Sequence, residues 1–168
     1  MRRPSKLATK AVATPLPAAV SEDRRDGRAL KLGELDEHIG YFARRFQVWI
    51  FQDLIETLAN AHIRISHYSV LAVISANPGL AQSEIAEMVG IEPARLVRVL
   101  DELERRAMIQ RMRSASDRRS HALFLTTDGQ KSFESIKRLA RRHEDHVITR
   151  VGPARYKALI KLLKEIEV

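Results

Sequence analysis

The residues best able to do chemistry in this chain are cationic. Arg95 and Arg98 stand one helical turn apart just after Pro93, and Arg118 and Arg119 adjoin within a polar stretch, Ser114–Ser120. Guanidinium groups grip phosphate oxygens and guanine edges through paired N–H donors, so these positions suit a polyanion. One other spacing has chemical potential. His143 and His146, with Glu144 and Asp145 between them, put two imidazoles on one helix face, where a metal could bind. Such a pair more often marks a solvated face, and no metal or cofactor is expected. The chain has no glycine-rich phosphate loop, no Ser-His-Asp constellation that can be placed and no cysteine. Thiol nucleophiles, disulfides and thiolate metal sites are excluded, and an enzyme is not expected.

The charge distribution agrees with a polyanion partner. The 168 residues carry 29 basic and 21 acidic side chains, net +8. Residues 1–31 hold 8 bases and 3 acids, residues 110–121 hold 4 and 1, and residues 122–168 hold 10 and 6. Residues 32–91 are acidic, with 3 bases against 7 acids. The excess therefore sits in a tail, a short central segment and the C-terminal end, which suits contact at particular places. Residues 1–31 lack an apolar period and read as a disordered basic tail. Their first 21 residues contain no acid, a composition shared by transit peptides and by DNA-touching arms. No stretch approaches the roughly 18 apolar residues of a membrane span.

Elements that would position the arginines follow from periodicity. Leu35, Ile39, Phe42, Phe46, Ile50, Leu54 and Leu58 recur at spacings of three and four, one face of a long helix. A second helix spans Ser66–Ala76 and ends at Asn77-Pro78-Gly79. Two short helices, Gln82–Val89 and Pro93–Arg106, flank Gly90, a helix-turn-helix pattern with Arg95 and Arg98 early on its second helix. Met108–Arg113 and His121–Thr126 read as a hairpin around the polar tip. Thr127 or Asp128 is placed to cap the next helix, and a last one follows Gly152-Pro153.

Leu80-Ala81-Gln82-Ser83-Glu84-Ile85-Ala86, Leu100-Asp101-Glu102-Leu103-Glu104 and the run from Asp117-Arg118-Arg119 to Leu125-Thr126-Thr127-Asp128-Gly129 together resemble the MarR family of bacterial transcription regulators. The resemblance covers roughly residues 34–168. It implies a mainly α fold with a small β-wing, a winged helix-turn-helix, and a homodimer formed by the N- and C-terminal helices. Residues 1–31 would be the tail and 32–168 the MarR-type domain. Within it, 32–62 and 127–168 would dimerise and 63–126 would form the DNA-binding lobe. The partner would be double-stranded DNA with a pseudo-palindromic operator, half-sites lying about 10 bp apart. Contacts are expected from Gln82, Ser83, Pro93, Ala94, Arg95 and Arg98, with Arg118 and Arg119 in a flanking minor groove. Two positions depart from the family pattern. Ala81 replaces a Thr or Ser cap. Glu92 stands where Ser is common, an acid that favours the helix dipole but would repel phosphate unless it pairs with an arginine or reads a cytosine amine.

Many relatives release DNA when a small aromatic anion binds. By that resemblance the effector would meet Phe42, Arg44, Arg45, Phe46 and Trp49 of the first helix, with His67 and Tyr68 of the next. Aromatic walls bury a ring and a cation holds a carboxylate; the same stripe also suits a dimer core. The run Leu35–Val48 is similar to the branch controlling catabolism of aromatic and hydroxycinnamic acids. The effector is then a free acid or its coenzyme A thioester. The expected function is a cytoplasmic, DNA-binding repressor of aromatic-compound catabolism genes, bound at the nucleoid through its operator. The alternatives are an activator, a regulator without effector, and a non-specific architectural protein. Operator, genes, effector and sign of regulation are not readable from the residues.

Overall fold

The computed structural model describes residues 31–113 and 121–166. The tail through residue 30 and the wing tip, 114–120, with Arg118 and Arg119, lie outside the described residues.

In residues 31–49 a short 3-10 turn, Gly33–Glu37, precedes helix α1, Ile39–Ala59. The expected apolar stripe therefore breaks after Leu35. His38 is extended, at φ −97° and ψ 114°, so Leu35 sits on the turn rather than on α1. Leu54 and Leu58, at the far end of α1, are its buried residues.

Residues from Ile50 onward hold the core. Helices α2 (Ile65–Ala76), α3 (Gln82–Val89) and α4 (Pro93–Arg105) precede strands β1 (Ile109–Arg113) and β2 (His121–Leu125). Two helices follow, α5 (Thr127–Val151) and α6 (Pro153–Glu165). The strands pair antiparallel with Ile109 opposite Leu125 and Arg113 opposite His121. Gly79 N–H donates to the Leu123 carbonyl at 2.8 Å, and Leu123 N–H returns to Leu80 at 3.0 Å. The α2–α3 turn is thus stitched to β2. Val70, Leu71, Ile74, Ile85, Leu96, Leu100, Leu103, Ile109 and Leu123 are fully buried in one cluster. Their removal from water supplies the main stabilisation of this lobe, at roughly 1.5–3 kcal/mol for each large side chain.

Local signals explain the boundaries. Gly90 ends α3 at φ 63° and ψ 37°, a left-handed conformation that costs a glycine little. Thr126, not Thr127 or Asp128, caps α5: its hydroxyl accepts the Gly129 N–H at 2.8 Å. The same hydroxyl donates to the Ala107 carbonyl. The cap moves back one residue because the Thr126 N–H and hydroxyl are both bonded to the base of the hairpin, at Met108 and Ala107.

Candidate nucleic-acid interface

Helix α4 is fixed by one face and offers the other. Leu96, Val99, Leu100 and Leu103 are buried, while Glu92, Pro93, Ala94, Arg95 and Arg98 are exposed. Pro93 occupies the first helical position, where its missing N–H is harmless. The guanidinium groups of Arg95 and Arg98 have no partner among the described residues, so both remain available to an anion. At the start of α3, Gln82 is half-buried and Ser83 exposed. Ala81 gives this helix no side-chain cap, but the Glu84 carboxylate accepts the Ala81 N–H at 2.7 Å. That contact is the backward half of a capping box.

Two sets of ion pairs hold α4 in place, and the residue pattern did not reveal either. On the wing side, Arg111 of β1 donates to Asp101 Oδ1 at 2.7 Å and to Glu104 Oε2 at 2.6 Å. On the other side, Glu102 accepts from the Arg64 guanidinium and from His67 Nε2, the latter at 3.0 Å. The Arg64 N–H donates to His67 Nδ1 at 3.3 Å, capping α2. Burial first, and then the Arg64 charge, hold the His67 imidazole below its ordinary pKa. The Arg64 hydrogen bond lowers the Glu102 carboxyl. Arg106, at the end of α4, donates to the His62 carbonyl at 2.9 Å. A cavity of about 960 Å³ lies between the α1–α2 turn and α4, with Arg64, Arg95, Arg98 and Val99 in its wall. Helical spacing shows which residues share a face, but not which distant chain faces them. Three acids within four residues, Asp101, Glu102 and Glu104, were the only hint.

The residues expected to meet an effector have varied surroundings. Phe42 and Arg44 are exposed, whereas Arg45, Phe46 and Trp49 are half-buried. Phe46 and Trp49 place their ring centroids 5.7 Å apart. Arg45 donates to the Tyr41 hydroxyl at 2.8 Å. Tyr68 is half-buried, 6.2 Å from the Phe133 ring. His67 is buried with both ring nitrogens engaged, so it has no spare donor for a ligand carboxylate. His143 departs from the expected solvated face. It is buried, and its Nδ1 lies 2.5 Å from Asp53 Oδ2, an acid of α1. His146 is exposed, 3.4 Å from the other oxygen of Asp53. Among the described residues no group of three His, Cys, Asp or Glu side chains is placed to hold a metal, and no helix is long and apolar enough to cross a membrane.

A sequence model described as the MarR family matches residues 63–121, from the start of the lobe into β2. Over 135 residues the chain is 30% identical to a proposed transcriptional regulatory protein for the hcr operon of Thauera aromatica. That match spans 80% of this chain and 81% of the relative. The chain belongs to the MarR family. The helix-turn-helix and its hairpin are accordingly a winged helix, and this MarR-family chain is a DNA-binding transcriptional regulator, not an enzyme. The transcriptional repressor CouR, solved bound to a 23-mer DNA duplex, is 40% identical with a TM-score of 0.79. That match covers 84% of this chain and 100% of CouR. CouR bound to p-coumaroyl-CoA matches at 38% identity and a TM-score of 0.73, over 82% of this chain and 96% of that one.

Proposed function

We propose that this MarR-family chain is a homodimeric repressor of aromatic-compound catabolism genes, released from its operator by an aromatic acid or its acyl-coenzyme A thioester. The likeness to CouR, solved both on DNA and with p-coumaroyl-CoA, carries this reading. Residues 32–62 and 127–168 would supply the dimer and 63–126 the reading head, in the cytoplasm. Exposed Ile160, Leu162, Leu163 and Ile166 on and just after α6 support a second copy as cover. In this reading Arg95 and Arg98 enter the major groove beside Pro93 and Ala94, and Gln82 and Ser83 position the helix on the backbone. Arg118 and Arg119 take the flanking minor groove. Phe42, Phe46, Trp49 and Tyr68 contribute apolar surface to the effector, with Arg44 and Arg45 as its cations. His67 acts through Glu102 instead of touching the ligand.

Release requires that the ligand bind the DNA-incompetent arrangement more tightly than the competent one. A mobility-shift titration on the region upstream of the chain's own gene tests the proposal. It is run with competitor DNA, with and without aromatic acids and their coenzyme A thioesters. Tight binding reversed by a thioester or an acid is the expected result. Binding that ignores every ligand removes the effector, and loss of preference over competitor removes the operator.

A further inference from the structure

The carboxylate of Glu92 stands at the leading end of α4. Glu92 is the residue from which α4 starts, at φ −54° and ψ 133°, and its side chain makes no cap hydrogen bond. It is exposed and has no side-chain partner among the described residues. Arg95, one turn later, does not pair with it. Its position is nevertheless firm. The Glu92 carbonyl accepts the N–H groups of Arg95 at 2.9 Å and Leu96 at 3.0 Å, and Leu96 is anchored in the core. Pro93 and Ala94, its neighbours on the exposed edge, are too short to cover it. By contrast, the acids farther along the helix, Asp101, Glu102 and Glu104, are all matched by arginines.

A carboxylate without a cationic partner at the leading end of a helix that enters DNA is favoured by that helix's dipole but repelled by every phosphate. It can only accept hydrogen bonds, so it gains only where a base edge offers a donor. In the major groove, guanine presents two acceptors and thymine an acceptor and a methyl group. Adenine has an amine, but beside N7, an acceptor that opposes the second carboxylate oxygen. The cytosine N4 amine is the donor that suits it. We infer that Glu92 is a specificity-determining residue that selects cytosine at one symmetry-related pair of operator positions. It does so as much by repelling other sequences as by binding this one.

This inference rests on the DNA-reading role of α4 but not on any effector, so ligand response can fail without affecting it. The test is selection from a randomised duplex pool by the full-length protein, its Glu92→Gln variant and its Glu92→Ala variant, followed by titration of the selected sites. The wild type should enrich cytosine at the paired positions, and replacing that base should weaken binding about 5- to 150-fold. Glu92→Gln should move the preference to adenine, which a carboxamide engages through N6 and N7. Glu92→Ala should tolerate any base there within about two-fold, with the rest of the consensus unchanged. An identical consensus from all three proteins overturns the inference, even if the variants bind every sequence more tightly, because the carboxylate then only repels backbone. Absence of cytosine from the wild-type consensus, or absence of any consensus, overturns it as well.

Discussion

His67 Nε2 lies 3.0 Å from Glu102 Oε2, joining the first turn of α2 to α4. The other ring nitrogen accepts the Arg64 N–H, so the proton of the neutral ring sits on Nε2 and is donated to Glu102. A second proton, on Nδ1, would break the cap of α2 and set a cation beside Arg64.

That arrangement gives stability a pH dependence of definite sign. The folded pKa of His67 is lowered below 6.5, chiefly by burial. The unfolded chain therefore takes up the proton first. Stabilisation by the neutral ring is fully present above pH 6.5 and is lost as pH falls through the folded pKa. Urea denaturation from pH 7.5 to 5 should show the wild type losing up to about 1.4 kcal/mol per pH unit through this group. His67→Gln should lack that component, and equal slopes for the two proteins would remove His67 from the account.

Arg111 sets the wing strand against α4 through two carboxylates one turn apart. Arg111→Ala leaves Asp101 and Glu104 facing each other, and stability should fall by about 1 kcal/mol, since the carboxylates are partly solvated. Operator affinity should fall further than stability does, because β1 loses its orientation. Arg111→Lys should recover little, as one ammonium cannot match both acids in the plane of a guanidinium. Full recovery by lysine in a mobility-shift titration would show that charge alone suffices.

Gly129 is sterically obligatory. A Cβ at this position would lie 1.8 Å from the Met108 carbonyl oxygen, which belongs to the backbone at the base of the hairpin. Gly129→Ala should therefore destabilise by roughly 3 kcal/mol, at the upper end of overpacking costs. Chemical denaturation measures this directly, and a loss below about 0.5 kcal/mol would mean that α5 shifts freely.

Arg119→Ala should weaken operator binding by on the order of 1–3 kcal/mol without changing the dimer. Titration on DNA and size-exclusion chromatography read the two effects separately. Unchanged affinity would take the wing tip out of DNA recognition.

Much of the lobe was legible because its signals are local. Gly90 and Pro93 mark the turn between α3 and α4, and the period of Leu96, Val99, Leu100 and Leu103 shows which face of α4 is buried. The misplaced features have long-range causes. Spacing puts His143 and His146 on one face, but the buried state of His143 comes from Asp53, ninety residues earlier in the chain. Likewise Thr126, Thr127 and Asp128 are all competent caps, and the choice falls to Thr126 through its bond to Ala107. Leu35 kept the helical period across a backbone break, because periodicity records side chains and not the dihedral at His38. His67 has the residue type of a ligand contact, yet its nitrogens are committed to Arg64 and Glu102.

Helix α6 has thirteen residues and none of them is buried. A helix of that length is marginal in water by itself, and the Tyr156 hydroxyl bond to Glu144 at 2.6 Å ties its first turns to α5. In the proposed homodimer another copy would supply the missing cover, which is a matter of mass action. Dilution should fray the C-terminus before the winged helix melts. The number of chains per cell would accordingly set a threshold, below which the reading heads fold but are not yoked in pairs. Control by such a protein would switch on steeply with its own abundance.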